Sequence, residues 1–322
     1  MRKIKWGVVG TADIAHGATI PGMKKAENCE LYAVAGRSMA KAALFRDEFG
    51  FQKAYEGYEA LLQDPEVEAV YVPLPNSLHA EWSIRALEAG KHVLCEKPLA
   101  PSEASAARMF KAAEENGVFL MEAFAYLHNP LVEAIRAEIA SGAIGEVRYI
   151  DSAFVGGARP DNDIRMRKET YGGAMYDLGC YPVSMILRLT GKEPEQVEAA
   201  ARFSAQDIDL ETSAILFFDG GITAAAHCAM VPEIGRMDRV RVMGTEGEIQ
   251  TPFWFNQPGE IPYTVVRGKT RVTKHVVAKD NYQLEVEQLG KCVLGEEKPW
   301  VSKDFSLQCA RTLDRILAKI GY

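Results

Sequence analysis

The sequence lacks the patterns that mark several large classes of protein. Its six cysteines form no C-x-x-C pair, and none stands at zinc-finger spacing from a histidine, so no metal site is indicated. No apolar run approaches the ~18 residues needed to span a bilayer. The first residues, MRKIKWGVVG, lead into a strand pattern without the apolar core of a secretory signal. We therefore expect a cytoplasmic protein with buried, reduced thiols and no membrane partner.

Positive charge is also scarce, because 37 Lys and Arg residues face 44 Asp and Glu residues and give a formal net charge of −7. An acidic chain is poorly suited to holding a polyanion over a broad face, so nucleic acid is not an expected partner. A local basic pocket for one phosphate is still compatible with this balance. With 322 residues, 48% of them hydrophobic, the chain can bury about two domain cores.

Strand and helix patterns alternate over residues 1–124. The predicted strands are 4–9, 31–35, 69–74, 92–95 and 119–122, and the predicted helices are 14–25, 40–49, 79–89 and 102–116. Such alternation is typical of a doubly wound parallel sheet with helices on both faces. We predict an α/β Rossmann domain over 1–124, of the kind that binds dinucleotides.

The pattern changes in residues 125–322. A helix is predicted at 131–141, followed by two hairpins whose turns lie at 219–221 and 244–247, and by helices at 281–294 and 305–319. Sequential antiparallel strands with a few helices indicate an α+β domain. We predict that 125–322 forms a large, mainly antiparallel open sheet that binds substrate and supports a homodimer or higher homo-oligomer.

The turn after the first predicted strand is a degenerate dinucleotide fingerprint. Gly10, Ala12 and Ala15 occupy the three glycine places of G-x-G-x-x-G, and only the first is glycine. The backbone N–H groups at the start of the following helix can hold a diphosphate. The predicted cofactor-binding residues here are Gly10, Thr11, Ala12, Asp13 and Ile14. A simple strand-to-helix turn is the alternative interpretation.

The second predicted strand ends at Arg37 and Ser38, where NAD enzymes usually carry an acid for the ribose hydroxyls. A guanidinium and a hydroxyl instead suit the 2′-phosphate of NADP. We therefore predict NADP as the cofactor, with NAD possible. The alternative is a solvated arginine beside a helix-capping serine.

Two further loops follow predicted strands, where open α/β sheets bind ligands. One contains Leu74, Pro75, Asn76 and His79, whose alternative role is a turn with a helix cap. The other contains Glu96 and Lys97 before a proline, which restricts the lysine backbone. We predict that both loops contact the cofactor.

At this point the chain resembles the Gfo/Idh/MocA family of oxidoreductases, in particular its dihydrodiol/D-xylose dehydrogenase and glucose–fructose oxidoreductase branch. The run 92–98 (HVLCEKP) carries the family's E-K-P motif, and 121–124 matches its E-A-F segment. Residues 74–79 match its T-P-N-x-x-H loop, with Leu74 in place of the threonine. Residues 172–181 (GGAMYDLGCY) match its second signature, G-G-G-x-x-x-D-x-G-x-H/Y, from the second glycine of that motif onward. These motifs occur in the family's order over about half of the chain.

The resemblance implies roles for particular residues. It implies that Lys97 is the active-site lysine beside the nicotinamide, with Asp177 and Tyr181 as further catalytic and substrate-binding residues. Asp177 and Tyr181 are also spaced to share one face of an α-helix. Tyr126 and Arg165 are predicted to bind substrate, a surface salt bridge being the alternative for Arg165.

The chain also departs from the family pattern. After the E-A-F segment, Leu127 and Asn129 replace the arginine and histidine of many relatives, so the identity of the sugar cannot be carried across.

The implied reaction is reversible hydride transfer between nicotinamide and a sugar, polyol or related cyclic alcohol or ketone. Tyr181 is the predicted proton donor and acceptor, with its pKa lowered by the Lys97 cation, although proton transfer by Lys97 itself is an alternative. A dinucleotide-sensing regulatory protein and a trans-dihydrodiol dehydrogenase are the competing interpretations. No metal is predicted to take part.

Overall fold

The computed structural model describes residues 2–231, 235–252 and 255–322. The chain divides into two compact units. The first unit comprises the chain up to His128 together with Asp280–Leu307, and the second comprises Asn129–Lys279 and Gln308–Tyr322.

The strands and helices of the described residues are as follows. The strands are β1 (Ile4–Val9), β2 (Cys29–Gly36), β3 (Lys53–Glu56), β4 (Ala69–Val72), β5 (His92–Glu96), β6 (Leu120–Ala123), β7 (Val147–Gly156), β8 (Gln196–Phe203), β9 (Asp209–Phe218), β10 (Ile222–Met230), β11 (Met237–Gly244), β12 (Gly247–Thr251), β13 (Gly259–Arg267) and β14 (Thr270–Ala278). The α-helices are α1 (Ile20–Lys25), α2 (Met39–Phe49), α3 (Tyr58–Leu62), α4 (Asn76–Glu88), α5 (Glu103–Glu115), α6 (Pro130–Ala140), α7 (Cys180–Thr190), α8 (Asn281–Val293) and α9 (Lys303–Ile320). Helices α1 and α7 are each preceded by a π-helical turn, Ala15–Thr19 and Met175–Gly179.

The first unit is built on a six-stranded parallel sheet in the order β3-β2-β1-β4-β5-β6. This order is that of a doubly wound dinucleotide-binding fold and confirms the predicted fold class. Five of the six strands were predicted within about two residues of their bounds. The sequence did not indicate β3, because it is four residues long, starts and ends with exposed charged residues, and has no fully buried residue.

The two compact units of the structure do not coincide with the two predicted domains. Helix α8 belongs to the first unit, where it packs on α1, whereas the sequence assigned 125–322 to one domain. Helix α8 lies close to α1 and to the residues that follow α1. A Cβ on Gly22 would lie 2.7 Å from the Cβ of Tyr282. Asn28 Nδ2 donates a hydrogen bond to the Glu287 carbonyl over 2.8 Å. Contacts between residues about 260 positions apart leave no local pattern, so the sequence could not reveal them.

The second unit is built on an eight-stranded sheet in the order β14-β13-β12-β11-β7-β10-β9-β8. All neighbours are antiparallel except β7 and β10, which are parallel. This confirms the predicted mainly antiparallel sheet, although its central strand β7 and the strands β8, β13 and β14 were not predicted. Helix α7 packs against β7 and β10 on one face.

All six cysteines are buried with free thiols, as predicted from the absence of disulfide and zinc-finger spacings. In the part of the chain that the structure describes, no cluster of His, Cys, Asp and Glu is arranged to hold a metal ion. Among the same residues, no helix combines the length and the apolar character required to cross a bilayer.

The parallel core predicts a strong contrast between two leucines of the first unit. Leu94 on β5 is fully buried between β4 and β6, whereas Leu44 on α2 is 68% exposed. Leu94→Ala leaves a cavity and should lower the free energy of unfolding by about 2–5 kcal/mol. Leu44→Ala should change it by less than about 0.5 kcal/mol, since it removes little buried surface. Urea denaturation followed by circular dichroism measures both, and equal effects would contradict the assigned core.

Candidate functional site

The loops predicted to hold a cofactor follow neighbouring strands at the carboxyl edge of the six-stranded sheet. Strand β1 lies between β2 and β4, which is the point where the strand order reverses and where such sheets bind ligands. Gly10 follows β1 with a φ of +122°, a conformation that favours glycine, and its N–H donates to the Ala35 carbonyl over 2.9 Å. A Cβ on Gly10 would lie 3.0 Å from Leu74 Cδ2, so the loops after β1 and β4 are in contact.

The residues after Gly10 lead into a helix whose first full turn is π-helical. Thr11, Ala12 and Ile14 are partly exposed and Asp13 is exposed, so their backbone can be reached by a ligand. The first N–H groups of a helix have no partner within the helix and attract anions. This part of the structure therefore fits the diphosphate of a dinucleotide.

Arg37 and Ser38 follow β2 at the same edge of the sheet. Arg37 is exposed, and Ser38 caps α2, its Oγ accepting from Lys41 N over 3.5 Å. The alternative role considered for Ser38, a helix cap, is thus realised. Arg37 has its guanidinium available at the position where a 2′-phosphate is bound in this fold.

His79 links two of the loops that were predicted to contact the cofactor. Its ring is fully buried, with Nδ1 2.9 Å from the Pro98 carbonyl and Nε2 2.8 Å from the Leu74 carbonyl. Burial lowers the pKa of His79, and the two carbonyl oxygens offset part of that effect. The ring thus joins the loop after β4 to the loop after β5, and its cofactor contact stays a prediction.

Glu96 is also used inside the fold. Its Oε1 accepts from the Tyr71 hydroxyl over 2.5 Å, and Tyr71 in turn accepts from Thr19 Oγ1 over 2.9 Å. Its Oε2 accepts from the backbone N–H of Lys97 over 3.3 Å. Glu96 is 9% exposed and its carboxylate holds the backbone at Lys97, while its cofactor contact stays a prediction.

Lys97 itself is partly exposed, unlike the buried residues around it. The Lys97–Pro98 peptide bond is cis. Pro75 and Asn76, in the neighbouring loop and at the start of α4, are partly exposed as well and remain predicted cofactor contacts.

Two buried carboxyl groups near Lys97 were not identified from the sequence. Glu122 on β6 accepts from Leu99 N over 2.8 Å, and burial raises its pKa to about 7. Glu285 on α8 is fully buried, and burial together with the charge of Glu96 raises its pKa well above the ordinary value. The E-A-F match was a signal for Glu122, whereas nothing local distinguishes Glu285 from a surface glutamate.

In the second unit, Asp177 lies between two arginines. Its Oδ2 is 2.9 Å from Arg165 Nε and 3.4 Å from Arg159 Nη2. Asp163 helps to place Arg165, because its Oδ1 accepts from the Arg165 backbone N–H over 2.8 Å. The sequence pointed to Asp177 and Arg165 but not to their pairing, and Arg159 was missed because it stands alone in an irregular loop.

Tyr181 is the second residue of α7 and is partly exposed. Its ring makes edge-on contacts with Phe154 at 5.1 Å and Phe255 at 5.2 Å between centroids. The preceding π-helical turn modifies the α-helical spacing predicted for Asp177 and Tyr181. Single π-helical turns are frequent at functional sites.

Two further predictions are modified by the structure. Tyr126 is fully buried beside Phe124, with ring centroids 6.0 Å apart, which does not suit its predicted contact with substrate. Gly172 and Gly173, expected to let backbone approach a ligand, have close neighbours within the chain. A Cβ on Gly172 would overlap the Arg165 carbonyl, and one on Gly173 would overlap Asp209 Oδ1.

Known families and proteins match both units. The model described as "Oxidoreductase family, NAD-binding Rossmann fold" matches residues 4–124, and the model of the GFO/IDH/MocA C-terminal domain matches residues 132–250. The chain is 37% identical over 319 residues to a D-xylose 1-dehydrogenase (NADP⁺) of Haloferax volcanii, covering 97% of this chain and 95% of that protein. It is 31% identical over 338 residues to a trans-1,2-dihydrobenzene-1,2-diol dehydrogenase of Xenopus laevis, covering 98% of each.

A solved structure with the same fold is that of a 3-ketoreductase from Actinomadura kijaniata in complex with NADP and TDP-benzene. The TM-score is 0.94 at 33% sequence identity, covering 99% of this chain and 98% of that one. Variants of that ketoreductase with a tyrosine-to-phenylalanine or a lysine-to-alanine substitution have been crystallised with the same two ligands. The identities over nearly the whole length and the matches of both domain models show that the chain belongs to the Gfo/Idh/MocA family of oxidoreductases.

Proposed function

We propose that this protein is an NADP(H)-dependent oxidoreductase that transfers a hydride between the nicotinamide and a sugar, a polyol or a related cyclic alcohol or ketone. The observation that carries the proposal is the set of residues at the carboxyl edge of the parallel sheet. There, Arg37, Gly10 and Lys97 follow β2, β1 and β5 of a dinucleotide-binding fold, in the order across the sheet that the 2′-phosphate, the diphosphate and the nicotinamide require. The relatives that act on D-xylose, on dihydrodiols and on keto sugars support the substrate class.

When bound, NADP supplies or accepts the hydride, and the protein must orient the reactants and move one proton. We assign the proton to Tyr181, whose ordinary pKa near ~10 is too high for a good base at neutral pH unless a cation favours the phenolate. Lys97 is the cation that we assign to this role. The lysine and the tyrosine that were substituted in the Actinomadura ketoreductase are separated by the same number of residues as Lys97 and Tyr181, which supports the assignment.

Asp177 is suited to binding a substrate hydroxyl. Arg165 and Arg159 hold its carboxylate, so the direction of that carboxylate is fixed. Carboxylates accept hydrogen bonds from sugar hydroxyls, and a fixed acceptor orients the carbon that reacts. In this proposal Arg165 helps to orient the substrate by holding Asp177, in addition to any contact that Arg165 itself makes with the substrate.

The competing function, a regulator that senses dinucleotides, is less favoured. Such members of the family tend to lack the catalytic lysine and the residues of the second signature. This chain retains Lys97, Asp177 and Tyr181. The relatives described above are named as enzymes rather than regulators, which supports the same choice.

Turnover tests the function and the catalytic pair together. The wild-type protein should change nicotinamide absorbance with at least one member of a panel of aldoses, inositols, keto sugars and dihydrodiols. Lys97→Met and Tyr181→Phe should each lower kcat by roughly 10²-fold, in line with the loss of acid–base catalysis. The double variant should be little worse than the poorer single variant, because groups that act as a unit give non-additive losses.

Lys111→Met is the matched control for the lysine, since Lys111 is an exposed residue of α5 whose side chain is 73% accessible. It should keep wild-type turnover. NADP binding that persists without turnover on the whole panel would instead favour the regulatory function.

Arg37 tests the choice of cofactor. Arg37→Ala should raise the KM for NADP by roughly tenfold or more, because a charge-assisted contact to the 2′-phosphate is lost, and should leave the KM for NAD almost unchanged. Arg46→Ala, which removes an exposed arginine of α2, is the control. Steady-state kinetics with both cofactors measures the effect, and an equal loss for NAD and NADP would contradict the assignment.

We also propose that the eight-stranded sheet forms a homodimer through the face opposite α7. On β9, Ala214, Leu216 and Phe218 are buried, whereas the alternating Ile215 and Phe217 are 38% and 37% exposed. Apolar side chains on the open face of a sheet favour coverage by a symmetric copy.

Light scattering after size exclusion tests the dimer. The wild-type protein should have the mass of two or more copies at micromolar concentration. Phe217→Lys should shift it towards the monomer, because the new charge would have to be desolvated in the interface. Leu44→Lys, at an exposed leucine of α2, should have no effect. A monomeric wild-type protein would refute the proposal.

A further inference from the structure

Asp209 is a buried carboxylate at the start of the helix that carries the second signature. It is the first residue of β9 and has no exposed surface. Its Oδ2 accepts from the backbone N–H of Met175 and from Thr212 Oγ1, each over 2.8 Å. Met175 is the first residue of the π-helical turn that continues into α7. The carboxylate thus satisfies a helix N–H group that would otherwise be unpaired.

Gly173 connects Asp209 to the paired side chains of Arg165 and Asp177. The Gly173 N–H donates to the Arg165 carbonyl over 2.8 Å, and its own carbonyl accepts from Asp177 N over 3.0 Å. Asp209 Oδ1 fills the space that a Cβ of Gly173 would need, and a φ of +106° also favours glycine there. A shift of Asp209 would therefore move the backbone on both sides of the Arg165–Asp177 ion pair.

Tyr322 holds the same segment from the other side. Its hydroxyl donates to the Gly172 carbonyl over 2.7 Å, and its ring would contact a Cβ of Gly173 at 3.4 Å. The glycine pair is thus enclosed between a carboxylate and an aromatic ring.

We propose that Asp209 is a positioning residue for the reaction. Its ionised carboxylate holds Gly173 and the first helical N–H group, and through them keeps Asp177 and Arg165 in the geometry that binds substrate. The inference rests on the proposed function, and it adds a residue that lies in none of the motifs carrying the family resemblance.

Burial changes the pKa of the Asp209 carboxylate, and this change makes it possible to distinguish a positioning role from a packing role. Burial raises the pKa of Asp209 from the ordinary 3.8 to about 6, although Thr212 and Met175 oppose the shift. A raised pKa means that the folded state binds the proton more tightly than the unfolded state. The contribution of Asp209 to stability therefore falls as the pH rises from ~4 to ~6, while the ionised form that the positioning requires becomes populated.

Other ionisable groups near Asp209 are Tyr176 and Asp177 on the signature helix, Cys228 on β10 and Tyr322 beyond α9. Burial raises the pKa values of Tyr176, Tyr322 and Cys228, so these groups stay uncharged near pH 6. Asp177 is ion-paired with Arg165 and Arg159.

Asp209→Asn tests the proposal, because the amide oxygen still accepts hydrogen bonds but the charge is lost. The kcat/KM for the substrate should fall by roughly 10- to 100-fold at pH 7.5, in line with misplacement of a substrate-binding group. The KM for NADP should not change. The wild-type kcat/KM should decline below about pH 6, as Asp209 is protonated, and this decline should be absent in the variant.

Lowering the pH should increase the contribution of Asp209 to stability, although it lowers kcat/KM. The Tm of the wild-type protein minus that of Asp209→Asn should increase as the pH is lowered from ~7.5 to ~5, because the protonated carboxyl is favoured in the fold. A residue with only a packing role would lose activity and stability together at every pH. Asp207→Asn is the matched control, since Asp207 is exposed and two residues away, and its positive φ of 56° suits asparagine.

Thr212→Val provides a second variant that keeps the charge. It removes one hydrogen bond to the ionised form, so the pKa of Asp209 should rise, and the acid limb of kcat/KM should move to higher pH. If Asp209→Asn keeps kcat/KM within about twofold of wild type, or if the acid limb is unchanged in Asp209→Asn or in Thr212→Val, the proposal is overturned.

Hydrogen exchange separates this inference from the proposed function. At pH 7.5, amides of residues 173–181 should exchange faster in Asp209→Asn than in the wild-type protein and in Asp207→Asn. Equal exchange would refute the positioning role even if no substrate is found. A wild-type protein without turnover, but with faster exchange in the variant, would refute the proposed function alone.

Discussion

Parallel pairing of β1 with both β2 and β4 is the constraint on which the candidate cofactor site depends. Because all six strands point the same way, each strand delivers its following loop to one edge of the sheet. Because the strand order reverses at β1, the loops after β1 and β4 lie side by side at this edge. Residues that are 60 or more positions apart, such as Gly10 and Leu74, come into contact for this reason.

The buried contacts beneath this edge include several polar ones. Glu96 accepts from Tyr71 and from the Lys97 backbone, while His79 joins the Leu74 and Pro98 carbonyls. Buried polar groups are costly unless they are hydrogen-bonded, and here each bond also fixes a loop that carries a candidate functional residue. Glu96 and His79, both predicted cofactor contacts, thus also hold the backbone of the loops that carry Lys97 and Leu74.

In the second unit, too, buried contacts hold the backbone beside candidate functional residues. Its signature glycines pack against the Arg165 carbonyl and against Asp209, and the ion pair of Asp177 with Arg165 is built on that packing. In both units the helix that follows the candidate loop begins with a π-helical turn. In both, a buried carboxylate lies next to a candidate functional residue and accepts from a backbone N–H, at Lys97 and at Met175. Buried carboxylates destabilise a fold when ionised, so their presence at these positions is more consistent with function than with stability.

The sequence by itself determined the class of each unit and most helix and strand positions, because these depend on local periodicity, whereas Lys97, Asp177 and Tyr181 were singled out through the motifs that carry the family resemblance. It also indicated Arg37 at the end of β2, since loop positions follow directly from strand positions. Only the tertiary structure decided that α8 returns to the first unit, that His79 and Tyr126 are buried, and that Asp209 supports the signature helix. Each of these depends on side chains that meet across long stretches of chain, as Gly22 meets Tyr282 and Gly173 meets Asp209. Such contacts are set by packing in three dimensions, and packing leaves no periodic trace in the sequence around either partner.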